Sequence, residues 1–373
     1  MHKTLSLTVA LSVLSLSNAL ADCEVEYTTY YRSDNTIGAS VRAKNRSNCT
    51  GNVVIEGTVT LNGKTYTVDK IVNGAFRESG LKSISLPDSI TTIEAYAFMD
   101  SGLEMSDIKL PSNLTTIGQY AFQGTTLTGK LVIPENVNRI EDYAFLDVSG
   151  ITDITLTNTG STNLGSKIFQ NAGSGKVTIN GDITGSSGFQ YSNITELEVA
   201  DGVTTLGSQT FYYDSSLTTV IIPDSLNITT GMWYDGPYQR SGKTFYMSEA
   251  KKEQCRDNPF SCGFGWLAAN GLSFDSLNIS IIPDYTYDSE SNLYKVGNLY
   301  YQSLSDIIHE KPYSPTRKVA DGYGHYAVYD KTTGKYLGMV DENGNPWRRR
   351  IYTIQEAERA SKPTGNTVKI RYK

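Results

Sequence analysis

Residues 85–98 read Ser85-Leu-Pro-Asp-Ser-Ile-Thr-Thr-Ile-Glu-Ala-Tyr-Ala-Phe98, and the chain then writes this stretch again. Leu110-Pro111 is followed by Ile117 and Ala121-Phe122, and Ile133-Pro134 by Ile140 and Ala144-Phe145. Recurrence at a period of about twenty to fifty residues marks a stacked-repeat architecture. One phenylalanine punctuates each unit: Phe76, Phe98, Phe122, Phe145, Phe169, Phe189 and Phe211, at spacings of 22, 24, 23, 24, 20 and 22. An Ile or Leu precedes each by five residues (Ile71, Ile93, Ile117, Ile140, Leu164, Leu206), except Ile183, which precedes Phe189 by six.

Each unit also carries a short alternating segment: Ile84/Leu86, Ile108/Leu110, Leu131/Ile133, Ile154/Leu156, Val177/Ile179, Leu197/Val199 and Val220/Ile222. Alternation puts these residues on one face of a strand and their neighbours on the other. Proline follows four of the segments, at Pro87, Pro111, Pro134 and Pro223, and ends pairing because it has no N–H. The Ile and Ala-Phe positions then return along the far side and point inward. Stacked units place Phe on Phe and Ile on Ile, and each fully buried side chain contributes about 1.5–3 kcal/mol. The predicted fold is a repeat solenoid with a parallel sheet along one side.

These units resemble BspA-type leucine-rich repeats of bacterial surface proteins, whose pattern is close to I-x-L-P-x-S-I-x-x-I-x-x-x-A-F. Residues 81–98, 103–122 and 127–145 match it well. The resemblance covers about half the chain and implies an exported protein that binds another macromolecule, as an adhesin or host-interaction factor. After Gly150 the units keep Phe but replace Ala with Ile168, Gly188 and Thr210, which predicts looser packing or a bend.

The N-terminus reads as a secretory signal peptide. His2-Lys3 is followed by an apolar run over 5–16 and by Ala19-Leu20-Ala21, so cleavage is expected before Asp22. Cleavage at Cys23 with lipidation is the rival, disfavoured because Asp22 stands where a small residue is expected. Cys23, Cys49, Cys255 and Cys262 form an even set in an exported chain, and such sets usually pair. Four cysteines allow three connectivities, of which nearest-neighbour pairing (Cys23 with Cys49, Cys255 with Cys262) is expected. No second long apolar run exists to span a membrane.

The domains follow. Residues 1–21 are the signal peptide and 22–76 a β-rich N-terminal cap with the first repeat. Residues 77–230 are the array, and 231–324 an aromatic-rich cap of degenerate repeats and linker. Residues 325–373 read as a small basic ββαβ-like module. Asn62-Gly63 between β-prone runs signals a hairpin in the cap. Ser248–Arg256 has helix-forming composition, residues 277–283 look like one more solenoid strand, and 284–324 reads as irregular.

The formal net charge of −6 argues against a nucleic-acid partner. Residues 53–230 hold 9 Lys/Arg and 19 Asp/Glu (9 − 19 = −10), and residues 345–373 hold 8 and 2 (8 − 2 = +6). Catalysis has little support: the mature chain has only His309 and His325, with no Gly-x-Ser-x-Gly, phosphate-cradling loop or His-Glu-x-x-His. No cofactor is expected. Candidate partner contacts are the outward strand residues Ser83, Ser85, Asp107, Lys109, Asp153, Thr155, Glu196, Glu198, Thr219 and Ile221. Asp153, Glu196 and Glu198 form an acidic group able to favour a basic partner or to hold calcium loosely, although coordination needs several converging oxygens. A surface protein is the expected partner, with a glycan on the aromatic region 231–301, around Trp233 and Trp266, as the alternative. A structural role in the envelope is a third reading.

Overall fold

The computed structural model describes residues 23–227, residues 242–262 and shorter pieces of 264–341. The chain divides into two compact units, Met1–Asp284 and Tyr285–Lys373.

The first unit is the solenoid, and it has two ladders of parallel strands rather than one. The alternating segments build a seven-stranded sheet in the order Gly129–Ile133, Ile151–Leu156, Lys176–Ile179, Glu196–Val199, Thr219–Ile221, Thr244–Met247 and Ile279–Ile281. The last two strands extend the array through the region read as degenerate repeats. The return side forms a second sheet from very short strands. Lys64–Ile71 leads to Thr92–Ile93, Thr116–Ile117, Arg139–Ile140, Ser161–Leu164 and Asp182–Gly185. Ile71, Ile93, Ile117, Ile140 and Leu164 stand opposite one another through this sheet. In the cap, Val25–Tyr31 pairs antiparallel with Ile37–Ala43, which joins Lys64–Ile71 in parallel. The Asn62-Gly63 hairpin forms between Thr58–Leu61 and Lys64–Ile71, with both turn residues left-handed (φ 53° and 74°).

The phenylalanines are the spine. All seven are at most 1% exposed, and successive rings stack at centroid separations of 5.5, 5.1, 5.0, 5.4, 4.8 and 5.1 Å. The loosening expected after Gly150 does not occur in this ladder. The larger Ile168 is fully buried, and Gly188 makes room in turn, because a Cβ there would meet Leu164 Cδ1 at 2.8 Å. The short unit around Phe189 instead shifts the strand register: Ile183 faces Thr162, and Leu164 faces Gly185.

A backbone pattern flanks every phenylalanine. The residues two before and two after it are left-handed, for example Tyr96 and Asp100 around Phe98, and Tyr120 and Gly124 around Phe122. From one left-handed station to the next, every second N–H points the same way. Tyr96, Phe98 and Asp100 all donate to the next rung, to the carbonyls of Gln119, Ala121 and Gln123. The same triplet recurs from Tyr120, Phe122 and Gly124 to Asp142, Ala144 and Leu146. A non-glycine residue held there costs on the order of 1–3 kcal/mol, and the interrung bonds and buried rings hold it in place.

Carboxylates also staple rungs together. Asp182 accepts the backbone N–H groups of Thr204 and Thr205 at 2.8 and 2.9 Å, and Asp88 accepts that of Ser112 at 2.9 Å. Burial alone would raise the Asp182 pKa, but the hydrogen bonds from Thr205 and Thr204 outweigh it and hold the carboxyl below its ordinary 3.8. For Asp88 the bonds from Ser112 dominate and act in the same direction. A depressed folded-state pKa means that the unfolded chain binds more protons. The stabilisation is therefore complete above the ordinary value and disappears as the pH falls through the lowered one. Asp182→Asn should flatten the acid limb of a stability–pH curve measured by urea denaturation. An unchanged acid limb would remove Asp182 from this account.

A helix, Glu249–Asp257, lies between the last two strands of the long sheet, and its N-cap Ser248 accepts the Lys251 N–H at 2.9 Å. Both disulfides have the expected pairing, Cys23–Cys49 and Cys255–Cys262. In the second unit, Thr286–Asp288, Leu293–Val296 and Leu299–Tyr301 form a small antiparallel sheet, followed by the helix Leu304–Ile308. This corrects the irregular reading of 284–324, where alternating Tyr residues carry strand propensity. Thr316–Ala320, His325–Asp330 and Tyr336–Asp341 form a second antiparallel sheet. The helix and last strand expected beyond 341 lie outside the described residues. Among the described residues no helix is long and apolar enough to cross a membrane.

Candidate functional site

Two exposed faces of the solenoid present side chains in register. On the long-strand sheet, Lys130, Asp153, Lys176, Glu196, Thr219 and Thr244 stand opposite one another in a single row. Thr155, Thr178, Glu198, Ile221 and Tyr246 form the next. The row therefore brings together Asp153, Glu196 and Thr219, with Thr155 beside them, all partly exposed.

Three expectations about this face are corrected. Glu198 is only 1% exposed and Ile221 is fully buried, so neither is available to a partner. The carboxylate of Glu198 is neutralised by Lys176 at 3.0 Å. The acidic group is not one patch either, because Lys176 lies between Asp153 and Glu196. Among the described residues no three metal-binding side chains converge. Asp107 and Lys109, though exposed, do not sit on a strand. Asp107 is left-handed (φ 53°) and its carboxylate accepts the Lys130 N–H at 2.6 Å, so the rung bulges and the sheet breaks there. Ser83 and Ser85 consequently belong to a separate pair, Gly80–Ser85 with Thr50–Val54, where Ser83 donates to Asn52 at 2.7 Å. Trp233 and Trp266 lie outside the described residues.

The short-strand face carries a feature that strand alternation did not reveal. Gln119, Arg139, Ile140, Glu141, Asp142, Asn163 and Gly165 line a polar notch of about 260 Å³. The position after the core Ile or Leu is Glu94, Gly118, Glu141 and Gly165 in successive rungs. Glu141 thus stands between two glycines, of which Gly165 lines the notch. Glycine is also required there: a Cβ at Gly118 would lie 2.6 Å from the Glu94 carbonyl carbon, and one at Gly165 2.6 Å from the Asp142 nitrogen.

The notch is built rigidly. Glu141 accepts the Gln119 N–H at 3.1 Å through one oxygen and pairs with Arg139 at 3.0 Å through the other. Asp142 accepts the Ser166 N–H at 2.7 Å. Beside it, Tyr96, Tyr120 and Tyr143 stack at 5.3 and 4.9 Å, and the Arg77 guanidinium lies over Tyr96 at 5.6 Å. Burial, then Tyr143, Tyr96 and Asp142, push the Tyr120 hydroxyl pKa up, so it stays protonated and can donate. The visible signal was Tyr at the same station of three successive units, which sequence reading passed over as part of the repeat.

The family comparison agrees with the geometry. A family model described as a BspA type leucine rich repeat region matches in six copies, over residues 69–187 and 182–235. The array is a BspA-type leucine-rich-repeat region. No functionally curated protein matches the chain. Among solved structures, this chain is similar to a leucine-rich repeat protein from Bacteroides ovatus (16% identity, 69% of this chain and 98% of that one, TM-score 0.25). It is also similar to a leucine-rich cell surface protein from Faecalibacterium prausnitzii (14%, 72% and 97%, 0.26). A third match is the pneumococcal vaccine antigen PcpA (12%, 71% and 99%, 0.28).

Proposed function

We propose that this protein is exported, loses residues 1–21, and works at the cell surface or beyond it as a binding protein, an adhesin or host-interaction factor, rather than as an enzyme. The observation that supports this is the contrast between the two sides of each long strand. Inward positions are Leu, Ile or Val as far as Ile222 and then Phe245 and Met247, whereas the outward row runs Lys130, Asp153, Lys176, Glu196, Thr219 and Thr244. A stacked core holds that row rigid, so little ordering cost attends binding. The resemblance to surface proteins and the two disulfides suit an oxidising, extracytoplasmic location.

The test uses the full exported chain as bait against intact cells and extracellular matrix proteins. A partner should be captured, and Asp153→Lys with Glu196→Lys should release it while leaving the thermal midpoint unchanged. If charge reversal leaves every capture intact, the long-strand face is not the binding face. N-terminal sequencing of exported protein should begin at Asp22.

A further inference from the structure

The notch on the short-strand face has a chemistry of its own, and we infer that it is a carbohydrate-binding site for a neutral oligosaccharide. This inference does not depend on the long-strand face proposed to hold a protein partner.

Three observations carry it. The first is the donor and acceptor set. Gln119, Arg139 and Asn163 offer planar donors, and Glu141 and Asp142 offer acceptors, around one cavity of about 260 Å³. A sugar hydroxyl both donates and accepts, so a mixed set of fixed planar groups satisfies several hydroxyls at once. The volume lies just under the usual range for small-molecule sites, which suits about one or two sugar units with the rest of the chain outside.

The second is charge. Arg139 is already paired with Glu141 at 3.0 Å, and one oxygen of each carboxylate is held by a backbone N–H. The notch therefore has no free positive charge for an anion. A basic side chain from a protein would meet the guanidinium beside Glu141 and could pair only with Asp142, which already accepts the Ser166 N–H. A neutral polyol meets neither obstacle.

The third is the tyrosine stripe. Tyr96, Tyr120 and Tyr143 occupy a left-handed station (φ 55–60°) where a bulky residue is unusual. The fold does not need tyrosine at that station, because Gly74, Lys167, Ser187 and Gln209 fill it in other rungs with the same backbone hand. The tyrosines are concentrated in the rungs on and beside the notch. Tyr120 is stacked on both faces, Tyr96 and Tyr143 on one each, and Arg77 lies over Tyr96, so what the stripe mainly presents is a row of ring edges and hydroxyls at one-rung spacing. Such a row would continue the contacts of an extended glycan leaving the notch.

The experiment is a glycan array probed with the full exported chain, followed by titration calorimetry with the best oligosaccharide. A neutral oligosaccharide should bind. Arg139→Ala and Asn163→Ala should each weaken it about tenfold, the effect of one hydrogen bond to a charged or well-placed polar group. Tyr143→Ser should weaken it less, and Gln209→Ala, at the same station away from the notch, should leave it unchanged. The Arg139 side chain is 62% exposed, so its removal spares the core, and an unaltered thermal midpoint confirms that. The same titrations with free oligosaccharide and with a glycoprotein carrying it distinguish the two sources, and binding to either supports the site. Silence across the array overturns the inference. So does a hit whose affinity ignores Arg139→Ala and Asn163→Ala, or a notch that responds only to a lysine-rich peptide.

Discussion

Phe122→Ala is expected to destabilise the solenoid by about 3–5 kcal/mol, the cost of emptying a fully buried aromatic position. Phe122 is fully buried and stacks on Phe98 at 5.1 Å and on Phe145 at 5.0 Å, so the variant loses two ring contacts and leaves a void between them. The consequence should exceed a simple drop in stability. In a solenoid each rung touches only its neighbours, so a weak rung in the middle uncouples the two sides. Urea denaturation followed by circular dichroism should show a lower midpoint and a broader transition. Phe122→Leu, which keeps most of the apolar volume, should lie between the variant and the parent. A loss below about 1 kcal/mol, within the ordinary range for point mutations, would mean that the phenylalanine ladder is not the spine described here.

The second large effect concerns the N-terminal disulfide. Cys23–Cys49 closes a loop with a sequence separation of 26 residues, and Cys255–Cys262 one of 7. On the chain-entropy account, losing the first costs about 3–4 kcal/mol and losing the second about 2–3 kcal/mol. The larger loop also holds the cap in place. Ala43, six residues before Cys49, donates to the Ala75 carbonyl at 3.1 Å, next to the first phenylalanine of the spine. Replacing Cys23 and Cys49 together by Ser should therefore lower the thermal midpoint more than replacing Cys255 and Cys262. The reverse order would show that the cap is not what protects that end of the spine. Non-reducing peptide mapping checks the pairing directly.

The fold was legible because the core repeats. Seven phenylalanines at near-constant spacing can satisfy burial together only by stacking, and the Ile positions and alternating segments agree with that solution. Local signals were equally readable where one or two residues decide the outcome, as at Asn62-Gly63 and at the Ser248 cap. The binding faces were less so, because they depend on which residues of different rungs stand side by side. Lys176 sits between Asp153 and Glu196 only once the strands are in register, and that register turns an acidic group into an alternating row. Glu198 alternates outward as predicted yet is buried, since alternation gives direction and says nothing of what covers a face. Asp107 departs through a single left-handed residue that strand propensity does not anticipate. The notch was missed for the same kind of reason. Its walls come from three rungs, and they face one another only once those rungs are stacked in register.

The left-handed stations beside each phenylalanine give the array a sense of direction. Each phenylalanine from Phe76 to Phe189 donates its N–H forward to the next rung, and Tyr96 and Asp100 do the same beside Phe98. The two ends are therefore chemically unlike, and the cap at one cannot serve at the other. A whole unit, 20–24 residues in this chain, touches only its neighbours, so units can be duplicated or lost between the two ends. Length is thus open to evolutionary change by internal duplication, while polarity is fixed. Each added rung would lengthen both exposed faces by about 5 Å, the spacing of the stacked rings.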